Sequence, residues 1–219
     1  MARAEGIALD TELADLPQAL RWRTWMGRIE AVLFASADPV GREALAGIVG
    51  RECSIDLLIE DISSELNDRP YEIARVAGGW QFRTRARFSD AIRAVRGSLD
   101  ETRPLSPTEG LVLTAIAYLQ PVTRGEISRM VGREVSRDVI GRLHRNGFIA
   151  RGPRSPEPGA PYTYVTTAGF LEHFGLDTLR DLPDMEALED AGLLQKDGGG
   201  ISDMLVFGEE REATGEDAE

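Results

Sequence analysis

From Pro17 to about Phe34, Leu20, Trp25, Ile29, Val32 and Leu33 keep helical spacing, and Pro17 is acceptable in a first turn. The polar break Ser36-Ala-Asp-Pro-Val40 ends that pattern, and residues 41–49 predict a short second helix with Leu45, Ile48 and Val49 on one side. Gly50 is placed to terminate it. Ser54 fits an N-cap for a third helix to about Leu66, burying Ile55, Leu58, Ile59, Ile62 and Leu66. Two alternating stretches, YEIARV and WQFRT, then predict strands joined by Ala77-Gly78-Gly79, because glycine reaches positive φ without steric cost. A helix over roughly 88–96 closes this unit.

The same order returns. Ser106-Pro-Thr-Glu109 is a capping box that opens the helix LVLTAIAYLQ, and Thr123-Arg-Gly-Glu126 is a second one, opening a helix to Val131. Ser136 begins a third helix that turns Val139, Ile140 and Leu143 inward and stops at Asn146-Gly147. FIARG and YTYVT predict a second hairpin around a proline-rich loop, followed by the helix AGFLEHFG. The repetition also shows residue by residue. PVGREALAGIVGRECS (39–54) and PVTRGEISRMVGREVS (121–136) agree at eight of sixteen positions at an offset of 82. The expected fold is therefore mainly α with small β-hairpins (α+β), as two tandem winged-helix domains. The expected divisions are an N-terminal extension, partly helical, over 1–27; a first winged helix over 28–97; a linker over 98–105; a second winged helix with its closing helix over 106–184; and a tail over 185–219.

Charge sharpens that division. The net charge of −12 over 219 residues is unevenly spread. Residues 181–219 hold thirteen acidic side chains against Lys196 and Arg211, leaving residues 1–180 with 24 acidic and 23 basic groups. The tail is expected to be disordered and to repel phosphate. It reads either as a solubilising tail or, through the apolar island in SDMLVFGEE (202–210), as a docking segment for a partner. No apolar run approaches the ~18–20 residues of a membrane helix. The N-terminus lacks a secretory apolar region, and Cys53 is the only cysteine. A cytoplasmic protein is expected.

Candidate chemistry is sparse. His144 and His173 stand beside arginine and glutamate, in no HExxH arrangement and with no second ligand at metal spacing. No glycine-flanked nucleophile elbow occurs. Lys196, the one lysine, is followed by Asp197 and precedes a glycine triplet, so no phosphate-binding P-loop exists. Neither an enzyme nor a cofactor or metal is expected. DNA reading is the serious rival, since residues 124–154 hold eight arginines against three acids, with Arg137, Arg142 and Arg145 on the third helix of the second unit. The equivalent helix of the first unit carries Asp56, Glu60, Asp61 and Glu65 and no base, so it would be repelled by phosphate, which disfavours a symmetrical reader using both helices.

Four separated stretches, IEAVLFASADPV (29–40), AGGWQFRTR (77–85), LSPTEGLVLTAIAYLQPVTRGEI (105–127) and TTAGFLEHFGLDTLRDLP (166–183), resemble the bacterial segregation and condensation protein B family over about residues 28–184. Pro158-Gly159-Ala160-Pro161 departs from the family's PGRP-like element in lacking its arginine. The resemblance implies a non-catalytic accessory subunit of the bacterial condensin that supports chromosome condensation and segregation. It implies a homodimer formed through the first winged helix, and a kleisin partner (segregation and condensation protein A) that leads to the structural-maintenance-of-chromosomes (SMC) ATPase. DNA contact would then be indirect or weak, with the protein nucleoid-associated through the complex. On that basis Tyr71, Ile73, Trp80 and Phe82 are the candidates for dimerisation, and Tyr164, Phe170, Phe174 and Leu176 those for kleisin. The alternative is a transcriptional regulator that binds DNA through Arg137, Arg142 and Arg145.

Overall fold

The computed structural model describes residues 9–96, 104–156 and 158–184. Its contacts divide the chain into two compact units, one within Met1–Thr102 plus Leu171–Leu179 and one within Arg103–Phe170 plus Arg180–Glu219. The class is α+β, as expected. Residues 97–103, which include most of the expected linker 98–105, and the acidic tail, with its island at 202–210, Lys196 and the glycine triplet, lie outside the described residues.

In the first unit the order is α1 (Gln18–Ala35), β1 (Val40–Gly41), α2 (Arg42–Ala46), α3 (Ile55–Glu65), β2 (Tyr71–Val76), β3 (Gly79–Thr84) and α4 (Ser89–Arg96), with a 3-10 turn at Ala86–Phe88. The strands form one antiparallel sheet in the order β1-β3-β2. The core joins Met26, Ile29 and Leu33 of α1 to Leu45, Val49 and the α3 face Ile55, Leu58, Ile59 and Ile62. Full burial of each such aliphatic side chain stabilises by roughly 1.5–3 kcal/mol, so the α3 stripe by itself outweighs any cap. α1 begins before residue 28, and Met26 rather than Leu20 faces the core, Leu20 being exposed. Residues 9–17 fold back on α1. The Trp25 indole donates to the Thr11 carbonyl at 2.8 Å, and a Cβ on Gly50 would stand 2.7 Å from the Trp25 ring. Gly50 therefore makes room for Trp25, whereas α2 itself ends at Ala46.

The second unit runs α5 (Pro107–Leu119), β4 (Val122–Thr123), α6 (Arg124–Val131), α7 (Arg137–Arg145), β5 (Ile149–Arg154), β6 (Tyr162–Thr166) and α8 (Ala168–Phe174). The sheet order is β4-β6-β5, matching the first unit. α5 is buried almost all round, through Leu111, Val112, Leu113, Ala115, Ile116 and Ala117, as expected of a helix apolar on every side. Both capping boxes close as expected. Ser106 and Thr123 accept from the backbone of Glu109 and Glu126, whose carboxylates return to the caps at 2.8 and 2.7 Å.

Two local features differ from the sequence reading. Each sheet gains a third strand of only two residues, too short for any periodicity to reveal. The first hairpin turns on Ala77 (φ 49) and Gly78 (φ 78), while Gly79 lies in β3 opposite both Val76 and Gly41. A Cβ on Gly79 would meet the Val40 carbonyl oxygen at 2.8 Å, so this glycine serves the close approach of β1.

Candidate protein-interaction surfaces

Period-two alternation places Tyr71, Ile73, Trp80 and Phe82 on one face of the first hairpin, with Ile73 paired to Phe82 across the strands. They do not share one environment. Trp80 is 5% exposed and belongs to the core, with the guanidinium groups of Arg42 and Arg75 5.3 and 5.6 Å from its ring centroid. This corrects its selection as a contact residue, because the indole packs into the core of α1 and α3 and the two arginines lie over it. Ile73 and Phe82 are half-buried against that core, and Tyr71 stacks edge-on to Phe82 at 5.7 Å and remains exposed.

Beside Tyr71 and Phe82 lies a groove of about 560 Å³ that also touches Gly27, Ala31 and Phe34 of α1. Phe34 is 85% exposed. The sequence reading missed it, because the last turn of an amphipathic helix carries Leu33 inward and gives its neighbour no assignment. A phenylalanine one position off the apolar stripe was the available signal.

The kleisin candidates are divided between the units. Tyr164 and Phe170 fall in the second unit, while Phe174 and Leu176 fall in the segment Leu171–Leu179, grouped with the first. Phe170 is 4% exposed and serves as core, which corrects its selection as a contact residue; helix α8 turns it inward and Phe174 outward, at 46% exposure. Leu176 is half-buried, and its carbonyl accepts the Ala77 N–H at 2.9 Å. Next to it, Asp177 accepts the Gly78 N–H and pairs with Arg75 at 2.8 Å. This segment therefore holds the first hairpin turn.

Tyr164 opens onto a groove of about 770 Å³ in the second unit, walled by Arg124, Arg137, Ile140, His144, Arg145 and Arg151. Arg137 and Arg145 pair with no carboxylate among the described residues, whereas Arg142, the third DNA candidate, meets Glu109 at 3.2 Å. The side chains of that pair are only 21% and 7% exposed, so Arg142 supports the fold and is corrected as a phosphate contact. The Glu109 carboxylate thereby caps α5 and anchors α7 at once.

The titratable groups show structural rather than catalytic tuning. Hydrogen bonds from Thr123, first through its backbone and then through its hydroxyl, hold the Glu126 carboxyl below its ordinary range. Burial pushes the Cys53 thiol up, away from the reactive thiolate. Among the described residues no His/Cys/Asp/Glu group has the arrangement to hold a metal, and no helix is long and apolar enough to cross a membrane.

A family model, "Segregation and condensation complex subunit ScpB", matches residues 27–185. The "Segregation and condensation protein B homolog" of Coxiella burnetii is 32% identical over 192 residues, covering 84% of this chain and 88% of that protein. "Segregation and condensation protein B" of Desulforamulus reducens is 37% identical over 163 residues, covering 72% and 87%. Among solved structures, ScpB from Mycobacterium tuberculosis matches at 28% identity over 71% of this chain and 97% of that one, with a TM-score of 0.34. The family model spans well over half of the chain, and two relatives, matched over 88% and 87% of their length, agree with it at 30% identity or better. This chain therefore belongs to the ScpB family of segregation and condensation complex subunits.

Proposed function

We propose that this protein is a non-catalytic, dimeric accessory subunit that binds the kleisin of a bacterial SMC condensin and supports chromosome condensation and segregation in the cytoplasm, nucleoid-associated through that complex. Family membership supports the complex, and one observation supports the assembly. The first unit leaves Phe34 85% exposed above a groove that Tyr71 and Phe82 line. A phenylalanine so exposed beside an apolar groove suits an isologous contact, in which each protomer offers the same ring to the other's groove.

Tyr71 and Phe82 remain in the proposed dimer face, joined by Phe34, with Ile73 supporting them from below. For kleisin, Phe174 and Tyr164 remain as contacts, with Leu176 holding the neighbouring backbone. The domain roles follow: dimerisation by the first winged helix and kleisin capture by the second with its closing helix.

Affinity purification of the tagged protein from its own cells, after nuclease treatment, tests the complex. Recovery of a kleisin and an SMC ATPase supports it; recovery of neither overturns it. Light scattering after size exclusion tests the dimer: Phe34→Asp should yield monomers with an unchanged circular dichroism spectrum, and a dimer that persists would sink this face.

The basic groove favours a second reading, a transcriptional regulator touching phosphate through Arg137 and Arg145. Sequence-preferring DNA binding that weakens steeply with salt and vanishes in Arg137→Glu/Arg145→Glu would replace the condensin reading.

A further inference from the structure

The groove of the second unit has a chemistry that its neighbours leave unanswered. Arg137, Arg145 and Arg151 stand along it without a carboxylate partner among the described residues, and Ile140 and Tyr164 supply an apolar wall. A partner that fills it must offer carboxylates or phosphates at the edges and apolar side chains between.

The chain contains one segment with that pattern. In Ser202-Asp-Met-Leu-Val-Phe-Gly-Glu-Glu210, four consecutive apolar residues stand between Asp203 and the pair Glu209-Glu210. Residues 185–219 as a whole hold eleven acidic side chains against Lys196 and Arg211. The acidic segment thus answers the groove in both charge and apolar content.

Reach is sufficient. The tail leaves from the second unit itself, where the Tyr118 hydroxyl donates to the Pro183 carbonyl at 2.5 Å. Ser202 lies eighteen positions beyond Asp184, a coil-like span of about 23 Å and an extended one of about 60 Å. A unit of this size has a radius of gyration of about 11 Å. Tethering at that distance gives a local concentration on the order of millimolar, so even a weak peptide site would be substantially occupied.

We propose that segment 202–210 docks within its own chain in the groove of Arg137, Arg145 and Arg151, with Met204–Phe207 against Ile140 and Tyr164. Docked there, the tail is a built-in competitor that an anionic partner must displace. The docked tail would cover Tyr164, which the kleisin reading also uses, but the test below reads only this chain's own residues, so either reading can fail without the other.

The test is an amide NMR comparison of the ¹⁵N-labelled full chain with Asp203→Asn/Glu209→Gln/Glu210→Gln. The expected result is a set of shifts confined to the groove, at Arg137, Gly141, His144 and Arg151, equal at ~50 and ~500 μM protein and retained in the Phe34→Asp background, because the contact lies within one chain. The same groove signals should move in 0.5 M NaCl, where the Debye length falls to about 4 Å. In the reciprocal variant Arg137→Glu/Arg145→Glu, the amides of 203–210 should move while thermal melting stays cooperative. Groove signals indifferent to the tail variant would overturn the proposal. So would shifts that fade on dilution, which would place the tail in another molecule's groove. Groove signals that move only when duplex oligonucleotide is added would overturn it in favour of nucleic acid.

Discussion

The two units carry the same element order and half-identical sequence across their second helices, yet they stabilise and expose different things. At the offset of 82, Ser54 and Ser136 both cap the third helix, Val49 and Val131 are both buried, and Leu45 and Ile127 stand at corresponding core positions with no exposure. The repeated residues are thus largely those the fold requires. The divergence lies at the second-helix cap and on the surfaces. Thr123 and Glu126 close a capping box and α6 runs eight residues, whereas Gly41 and Ala44 occupy the corresponding places and α2 stops after five. The first unit presents an acidic α3 and an apolar groove; the second presents a basic α7 and a charged one. One scaffold has been kept for its core and given two different faces, so the fold alone does not assign either unit's partner.

The sharpest way to break the correspondence is at the third helices. Arg142→Glu would set a second carboxylate against buried Glu109 and should cost about 3–5 kcal/mol in chemical denaturation. Glu60→Arg, at the corresponding exposed position of α3, should stay within about 0.5 kcal/mol. Equal effects would mean that the Glu109–Arg142 pair carries no special burden.

The sheets offer a second contrast. In the first unit Gly79 faces Gly41, and the residue in Gly79's place in the second is Thr163, facing Thr123. Thr163 keeps its side chain because Gly152 on β5 yields the space, its Cβ position lying 2.6 Å from the Thr163 hydroxyl oxygen. Gly79→Ala, whose Cβ would meet the Val40 backbone, and Gly152→Ala, whose Cβ would meet the Thr163 hydroxyl bound to the Pro153 carbonyl, should each lose about 1–3 kcal/mol. Unchanged melting in either variant would refute the close approach.

Caps should have smaller effects. Thr123→Ala should destabilise by about 1 kcal/mol, and the transplant Gly41→Thr/Ala44→Glu should stabilise the first unit by about 0.5–1 kcal/mol, since a Cβ on Gly41 meets nothing within 4 Å. Acid titration of Thr123→Ala would refine this. Glu126 has a folded-state pKa depressed below its ordinary 4.5, so its stabilisation is complete above that pH and lost as pH falls through the depressed value. Thr123→Ala keeps the backbone N–H, the larger cause of the shift, and loses only the hydroxyl's share, so the acid limb below pH 4.5 should become shallower without disappearing.

Helices, caps and hairpins were legible in the amino-acid order because their causes are local. Ser106, Thr123 and Ser136 announce helix starts within four residues, and the 3.6-residue stripe of α3 names its own buried face. Alternation likewise put Tyr71, Ile73, Trp80 and Phe82 on one side of a sheet. It could not say how deep each side chain would sit, so Trp80 and Phe170 entered the core while Tyr71 and Phe174 stayed exposed. Burial depends on what the rest of the chain lays over a residue, and that covering comes from distant sequence. Glu109 shows the boundary in one side chain: its capping role was readable three residues away, but its pairing with Arg142 required α7 to fold against α5. The sequence by itself determined the helices, the two hairpins, their order and the duplication, because these follow from nearest-neighbour sterics and hydrophobic periodicity. Only the tertiary structure decided which arginines remain unpaired along a groove and which aromatics face solvent, because desolvation is set by long-range packing.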